Sequence, residues 1–129
     1  MGSVPRSIND PITTNEVNIN GFLNILMAAK ESPTLIRMLY ATSSSSFGNC
    51  AKLPRIEGEK FKTLSPYVVT KCVNKLYANV FSKFYGFHTI VLRYFIVFSP
   101  KQNPYNPYAN VIPLFVKAAK EGQPPFYQR

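Results

Sequence analysis

A doubly wound α/β fold built on a parallel sheet is predicted by three successive stretches of this chain. Leu35 to Thr42 is an apolar run broken mainly by Arg37, of strand length, that opens into Ser43, Ser44, Ser45, Ser46, Phe47 and Gly48. Ser65-Pro66 then starts a helix that Gly86 stops, and Thr89 to Phe95 is a β-branched and aromatic stretch too short for a helix. Strand, long helix and strand give a parallel pair joined by a right-handed crossover, the repeating unit of such sheets. The expectation is therefore the central βαβ portion of a doubly wound parallel sheet, incomplete on its own.

Each element has local reasons. Asp10-Pro11 makes a turn, and Thr13 and Glu16 then have capping-box spacing. Ile19, Phe22, Leu23 and Leu26 recur at helical spacing and Pro33 sets a limit, which predicts a helix from Thr14 to Lys30. Leu35 to Thr42 reads as a buried strand followed by a tight serine loop, and Asn49 to Leu64 is polar, charged and broken by Pro54 and Gly58, hence loop. Serine caps free amides and proline at the first helical position loses no needed donor, so Ser65-Pro66 is a strong start signal, and Gly86 the matching stop. Between them Val69, Val73, Leu76 and Val80 draw one apolar stripe, widened by Tyr77, Phe81 and Phe84. Pro100, Pro104, Pro107 and Pro113 break up a long loop, after which Leu114 to Lys120 is expected to be a short helix.

Composition narrows the classes. A chain of 129 residues, 46% hydrophobic and 14% aromatic, has the material for one small domain with a core, and it is expected to be a single domain over 1–129. No run approaches the ~18 apolar residues of a membrane span and no secretory apolar stretch stands near Met1, so a cytoplasmic protein without membrane association is expected. Cys50 and Cys72 lack a paired spacing and His88 is the single histidine, which argues against a metal site. The net charge of +9 favours anionic partners, but the basic residues are scattered without a dense block, and no nucleic-acid role is expected.

Chemistry concentrates in two places. Tyr67 and Lys71 stand four apart and share one face of the predicted helix. An ammonium beside a phenol favours the phenolate, which suits proton transfer to and from an alcohol. The serines fall at the carboxyl end of the preceding strand, where open α/β sheets bind ligands, so Ser43 could share a substrate hydroxyl with Tyr67. Taken alone, Y-x-x-x-K occurs in many helices and a serine run is an ordinary loop; the combination is what carries the reading.

These residues resemble a family. Extended short-chain dehydrogenases/reductases acting on nucleotide-sugars, the NAD-dependent epimerase/dehydratase group, carry S-S-S-x-Y-G at a strand end, then S-P-Y-x-x-[ST]-K, then L-R-Y-F-N-V-[FY]-G-P-R-Q. Here stand Ser43-Ser44-Ser45-Ser46-Phe47-Gly48, then Ser65-Pro66-Tyr67-Val68-Val69-Thr70-Lys71, then Leu92-Arg93-Tyr94-Phe95-Ile96-Val97-Phe98-Ser99-Pro100-Lys101-Gln102. The opening Gly2-Ser3-Val4-Pro5-Arg6-Ser7 and the stretch Asn18-Ile19-Asn20-Gly21-Phe22-Leu23-Asn24 look most like the bacterial UDP-N-acetylglucosamine 4-epimerase branch.

The resemblance implies a Rossmann-like fold and a 4-epimerase cycle, in which NAD takes hydride from C4 of a UDP-sugar and returns it to the other face. It implies Tyr67 as base, Lys71 as its activator and holder of the nicotinamide ribose, and Ser43 on the C4 oxygen. Ser44, Ser45, Gly2, Ser3 and Gln102 would meet the substrate. Departures from the pattern are Phe47, Ile96, Ser99, Lys101 and Asn110, of which Ile96 removes a donor and an acceptor beside the sugar. The glycine-rich cofactor half is expected to precede this stretch and the nucleotide-binding lobe to follow it, so tight NAD binding and turnover by these residues alone are not expected. The alternative is a noncatalytic interaction module or a degenerate remnant, pairing as a homodimer through the helices near 14–30 and 66–85.

Overall fold

The computed structural model describes residues 2–47, 65–95, 97–103, 105 and 111–124, in two compact units divided between Phe95 and Ile96. The expected loop from Asn49 to Leu64 and positions Ile96 and Asn110 lie outside these, as does the side chain of Phe47.

The first unit opens with helices whose starts are chemically marked. Ser3 Oγ accepts from the Arg6 amide at 3.3 Å and Pro5 occupies the first turn of α1, Val4–Asn9, a helix not anticipated from the sequence although Ser3 and Pro5 are its start signals. Asp10 Oδ1 accepts from the Thr13 amide at 3.0 Å and Pro11 starts α2, Pro11–Asn15. The cap is thus Asp10 and not Thr13, because Pro11 fits the first helical position and brings the start three residues forward. The helix continues through a π-helical turn, Glu16–Asn20, into α3, Gly21–Glu31. The wider turn keeps Thr14, Asn18, Phe22 and Leu26, spaced four apart, buried in sequence along one helix.

Strand β1 is Arg37–Ser43, and Ser44–Phe47 coil directly into a single 3₁₀ turn. Helix α4, Pro66–Tyr85, begins and ends as expected: Ser65 Oγ accepts from the Val68 amide at 3.3 Å, and Gly86 takes the left-handed conformation (φ 76°) that releases the chain into β2, His88–Tyr94. The two strands pair in parallel, Leu39 beside Ile90, Ala41 beside Leu92 and Ser43 beside Tyr94.

The core lies between one face of this sheet and the helices. Phe22, Leu26, Tyr40, Ala78, Phe81 and Phe87 form it, with Met38 and Val91 packed against them, and the Phe22 and Tyr40 rings meet at 5.2 Å between centroids. Two expectations need correction here. β1 is half-buried and not buried, since Tyr40 and Thr42 face the helices while Leu39 is 58% exposed. The apolar stripe on α4 faces outward: Val69, Leu76 and Val80 are exposed, and the buried side is Val68, Thr70, Asn74, Ala78 and Phe81. Small Ala78 and hydrogen-bonded Thr70 can approach the sheet and neighbouring helices closely, and hydropathy alone does not register a polar residue whose partner lies elsewhere in the chain.

The second unit carries α5, Val111–Lys120, which begins three residues before the expected Leu114. Pro113 falls in its first turn, where no amide donor is lost, and so belongs to the helix and not to the preceding loop. Among the described residues no helix is long and apolar enough to cross a membrane, and no group of three metal-ligating side chains occurs.

Candidate active site

The carboxyl end of β1 gathers hydroxyls into a bonded cluster. Ser43 Oγ accepts from the Ser45 amide and donates to Ser45 Oγ, both at 3.2 Å, and Ser46 Oγ donates to the Ser43 carbonyl at 2.6 Å. Ser46 is thereby buried and serves the turn, whereas Ser43, Ser44 and Ser45 remain half-exposed and able to meet a ligand. A serine at the last strand position followed by a 3₁₀ turn presents adjacent hydroxyls, with donors and acceptors both available, at the strand end.

Helix α4 packs against this serine turn and β1, and its Lys71 meets the carboxyl half of β1. Lys71 reaches back, its Nζ donating to the Ala41 carbonyl at 3.5 Å while standing 5.8 Å from the Tyr67 ring centroid. Tyr67 and Lys71 are both half-buried. Burial pulls the Lys71 ammonium below the usual lysine range. The neighbouring Cys72 is also half-buried, and burial raises its thiol although Arg93 and Lys75 oppose the shift.

The turn bearing Tyr67 is held from behind. Thr70 Oγ1 donates to the Tyr67 carbonyl at 2.7 Å and accepts from Asn18 Nδ2 at 3.0 Å, with Asn18 and Thr70 both buried. Both stand in stretches quoted from the sequence, but neither was given this supporting role there. The signal available was Asn18 itself, a polar residue four positions from Phe22 on the apolar stripe of its helix. Asn74, one turn beyond Thr70, is buried with its Oδ1 unpartnered.

The remaining expected site residues stand as follows. Ser3 spends its hydroxyl on the α1 cap and Gly2 is exposed before it. Gln102 belongs to the second unit, where its backbone N–H donates to the Ser99 carbonyl at 3.4 Å and its buried side-chain Oε1 lacks a hydrogen-bond partner. That unit has a cavity of about 630 Å³ lined by Gln102, Phe98, Tyr105, Ile112, Val116 and Lys117, with Lys117 Nζ 4.3 Å from the Tyr105 ring centroid. The cavity is apolar-walled with cations at its rim, and Lys117 is further tied to Glu121 at 3.9 Å.

Known proteins share this fold. The UDP-N-acetylglucosamine 4-epimerase of Methanobrevibacter ruminantium, solved in complex with UDP-N-acetylmuramic acid, superposes with a TM-score of 0.88 at 36% identity, over 95% of this chain and 39% of that one. The Thermus thermophilus UDP-glucose 4-epimerase, solved with NAD, gives 0.83 at 29% identity over 96% and 40%. In sequence, the UDP-glucose 4-epimerase of Mycoplasma pneumoniae is 29% identical over 126 residues, 92% of this chain and 37% of its own length. The strand–helix–strand is thus part of an α/β Rossmann-like fold, and the chain spans about 40% of the length of the relatives it matches. The model of the NAD dependent epimerase/dehydratase family matches residues 1–128, so the serine turn and the Tyr67/Lys71 helix are those of a member of that family.

Proposed function

We propose that this chain carries the proton-transfer portion of a UDP-sugar 4-epimerase. The observation that supports it is the convergence of Tyr67, Lys71 and the serine turn on one end of β1, with Lys71 Nζ at the Ala41 carbonyl. Ser43 orients the sugar hydroxyl, with Ser44 and Ser45 along the sugar. Tyr67 takes the proton from that hydroxyl and returns it, and Lys71 supplies the positive charge beside the phenol. Gly2 and Ser3 are further substrate contacts of this reading.

NAD is the cofactor this reading requires, and it supplies hydride transfer when bound. Tyr67 and Lys71 fit its nicotinamide ribose, Lys71 through ammonium donors at the strand end. The pyrophosphate has no cradle among the described residues: the strand-to-helix turn after β1 offers serines, and none of Gly2, Gly21, Gly86 and Gly122 begins a helix after a strand. The fit therefore covers one end of the cofactor only.

The test is nuclear magnetic resonance of the 129-residue chain titrated with UDP-N-acetylglucosamine. Shifts confined to Ser43–Ser46 and to the first turns of α4, and abolished by Ser43→Ala, are expected; an unmoved spectrum at millimolar sugar nucleotide would sink the reading. NAD alone is expected to show no saturable binding below millimolar concentration.

A second reading, an interaction module that forms a homodimer through α3 and α4, is favoured by the outward stripe on α4, where Leu76 is 65% exposed and Phe84 68%. Light scattering would show a dimer that Leu76→Lys converts to monomer; a monomer at all concentrations counts against it.

A further inference from the structure

Ser43, Ser44, Ser45 and Ser46 are identical side chains in a row, yet the fold separates the last from the others. The first three are half-exposed, whereas Ser46 is 1% exposed, in a turn that packs against α4. A hydroxyl enclosed in this way is out of reach of a ligand, so an effect on the site must pass through another residue. Its bond identifies that residue: Ser46 Oγ donates to the Ser43 carbonyl at 2.6 Å, at the short end of the range for a hydroxyl donor.

Ser43 is the last residue of β1, paired with Tyr94, and the chain passes there from extended strand into a 3₁₀ turn in one step. The backbone torsion that aims the Ser43 carbonyl also decides where the following amides lie relative to the Ser43 side chain. With the carbonyl held by Ser46, the Ser45 amide stands 3.2 Å from Ser43 Oγ and donates to it. That bond selects one of the three staggered rotamers open to a serine side chain. A hydroxyl has one proton and two lone pairs, so Ser43 Oγ retains a lone pair for a ligand, and a proton now lent to Ser45 Oγ at 3.2 Å. We propose that Ser46 is a positioning residue of the candidate active site, one that touches no ligand and acts by holding the Ser43 carbonyl, so that the Ser43 hydroxyl meets a sugar hydroxyl already in a single orientation. The inference rests on the role proposed for Ser43, and it assigns Ser46 a part that its burial would otherwise leave as packing alone.

The test compares the 129-residue chain with Ser46→Ala and Thr89→Val by nuclear magnetic resonance. Thr89→Val removes a bond of the same kind, from Thr89 Oγ1 to the Ala78 carbonyl at 3.4 Å, toward the amino end of the paired strands. Without ligand, amide exchange at Ser45 should quicken at least about tenfold in Ser46→Ala and stay within about twofold in Thr89→Val, with the amides of 37–42 unchanged in both. Titrated with UDP-N-acetylglucosamine, Ser46→Ala should bind at least about fivefold more weakly than the parent and Thr89→Val within about twofold of it. If Ser46→Ala does not fold, Ser46→Cys, similar in size with a weaker donor, is read in its place, with changes in the same direction. Exchange at Ser45 that does not quicken, or a parent and a Ser46→Ala variant that bind equally, would overturn the proposal. A sugar nucleotide that binds neither sinks the catalytic reading, and the exchange at Ser45 then decides whether Ser46 orients Ser43.

Discussion

Lys71 holds its place at a cost that pH reveals. Its ammonium is half-buried and its pKa lies below the ordinary lysine value, so between the folded and unfolded pKa values the unfolded chain binds more protons. The stability contributed at this position therefore rises with pH through a window that closes near the ordinary lysine value of ~10.4. Lys71→Met should be more stable than the parent at pH 7, and its advantage should shrink as urea unfolding is repeated at pH 9 and above; an advantage that grows with pH would contradict the burial argument. The Asn18–Thr70 bond is the other residue-scale feature, a buried contact between side chains 52 positions apart. Asn18→Leu and Thr70→Val should each cost about 1–3 kcal/mol. The double variant should cost less than the sum by at least about 0.5 kcal/mol in a denaturation cycle.

Helix α4 shows what a sequence discloses at the scale of an element. Its start and stop are local chemistry, and Ser65, Pro66 and Gly86 announced both. Ser65→Ala should lower stability by about 1 kcal/mol, read as a reduced urea midpoint at unchanged slope. Which side of α4 faces inward was not legible. The stripe through Val69, Leu76 and Val80 is the more apolar side, yet Thr70 and Asn74 are buried in its place, because Asn18 and the Tyr67 carbonyl satisfy Thr70. That pairing depends on a residue in a different helix. The same holds for the sheet: alternation in β1 is masked in the sequence because Leu39 is apolar on a face no described helix covers. The proposed constellation could be read because Tyr67 and Lys71 are one helical turn apart and the serines are consecutive, so short-range geometry sufficed. The support behind them, Asn18 with Thr70 and Lys71 with the Ala41 carbonyl, joins distant parts of the chain and could not.

At the scale of the whole molecule the core is thin. Among the described residues only seven hydrophobic side chains are buried, so each carries a large share of the stability. Leu26 is fully buried at the centre of this cluster, and Leu26→Ala should cost about 2–5 kcal/mol against a typical domain total of ~5–15 kcal/mol. The expected result is a urea midpoint lowered by roughly a third or more, or an unfolded chain by circular dichroism; an unchanged midpoint would mean that the cluster is not the cooperative core. Apolar side chains also stand outside it, among them Leu39 on the sheet and Leu76 on α4, both exposed.

The π-helical turn at Glu16–Asn20 has a consequence for how chain length can change here. A π turn accommodates one residue more than an α turn, and a single residue subtends roughly 100° on an α-helix. Removing one residue from within this stretch would therefore let the helix close into regular α geometry with Thr14 before it and Phe22 and Leu26 after it kept nearly in register, whereas the same deletion in the regular turns of α3 would rotate one side of the helix against the other by that angle. The stretch between Glu16 and Asn20 is thus the place in this helix where a change of one residue in length is absorbed locally.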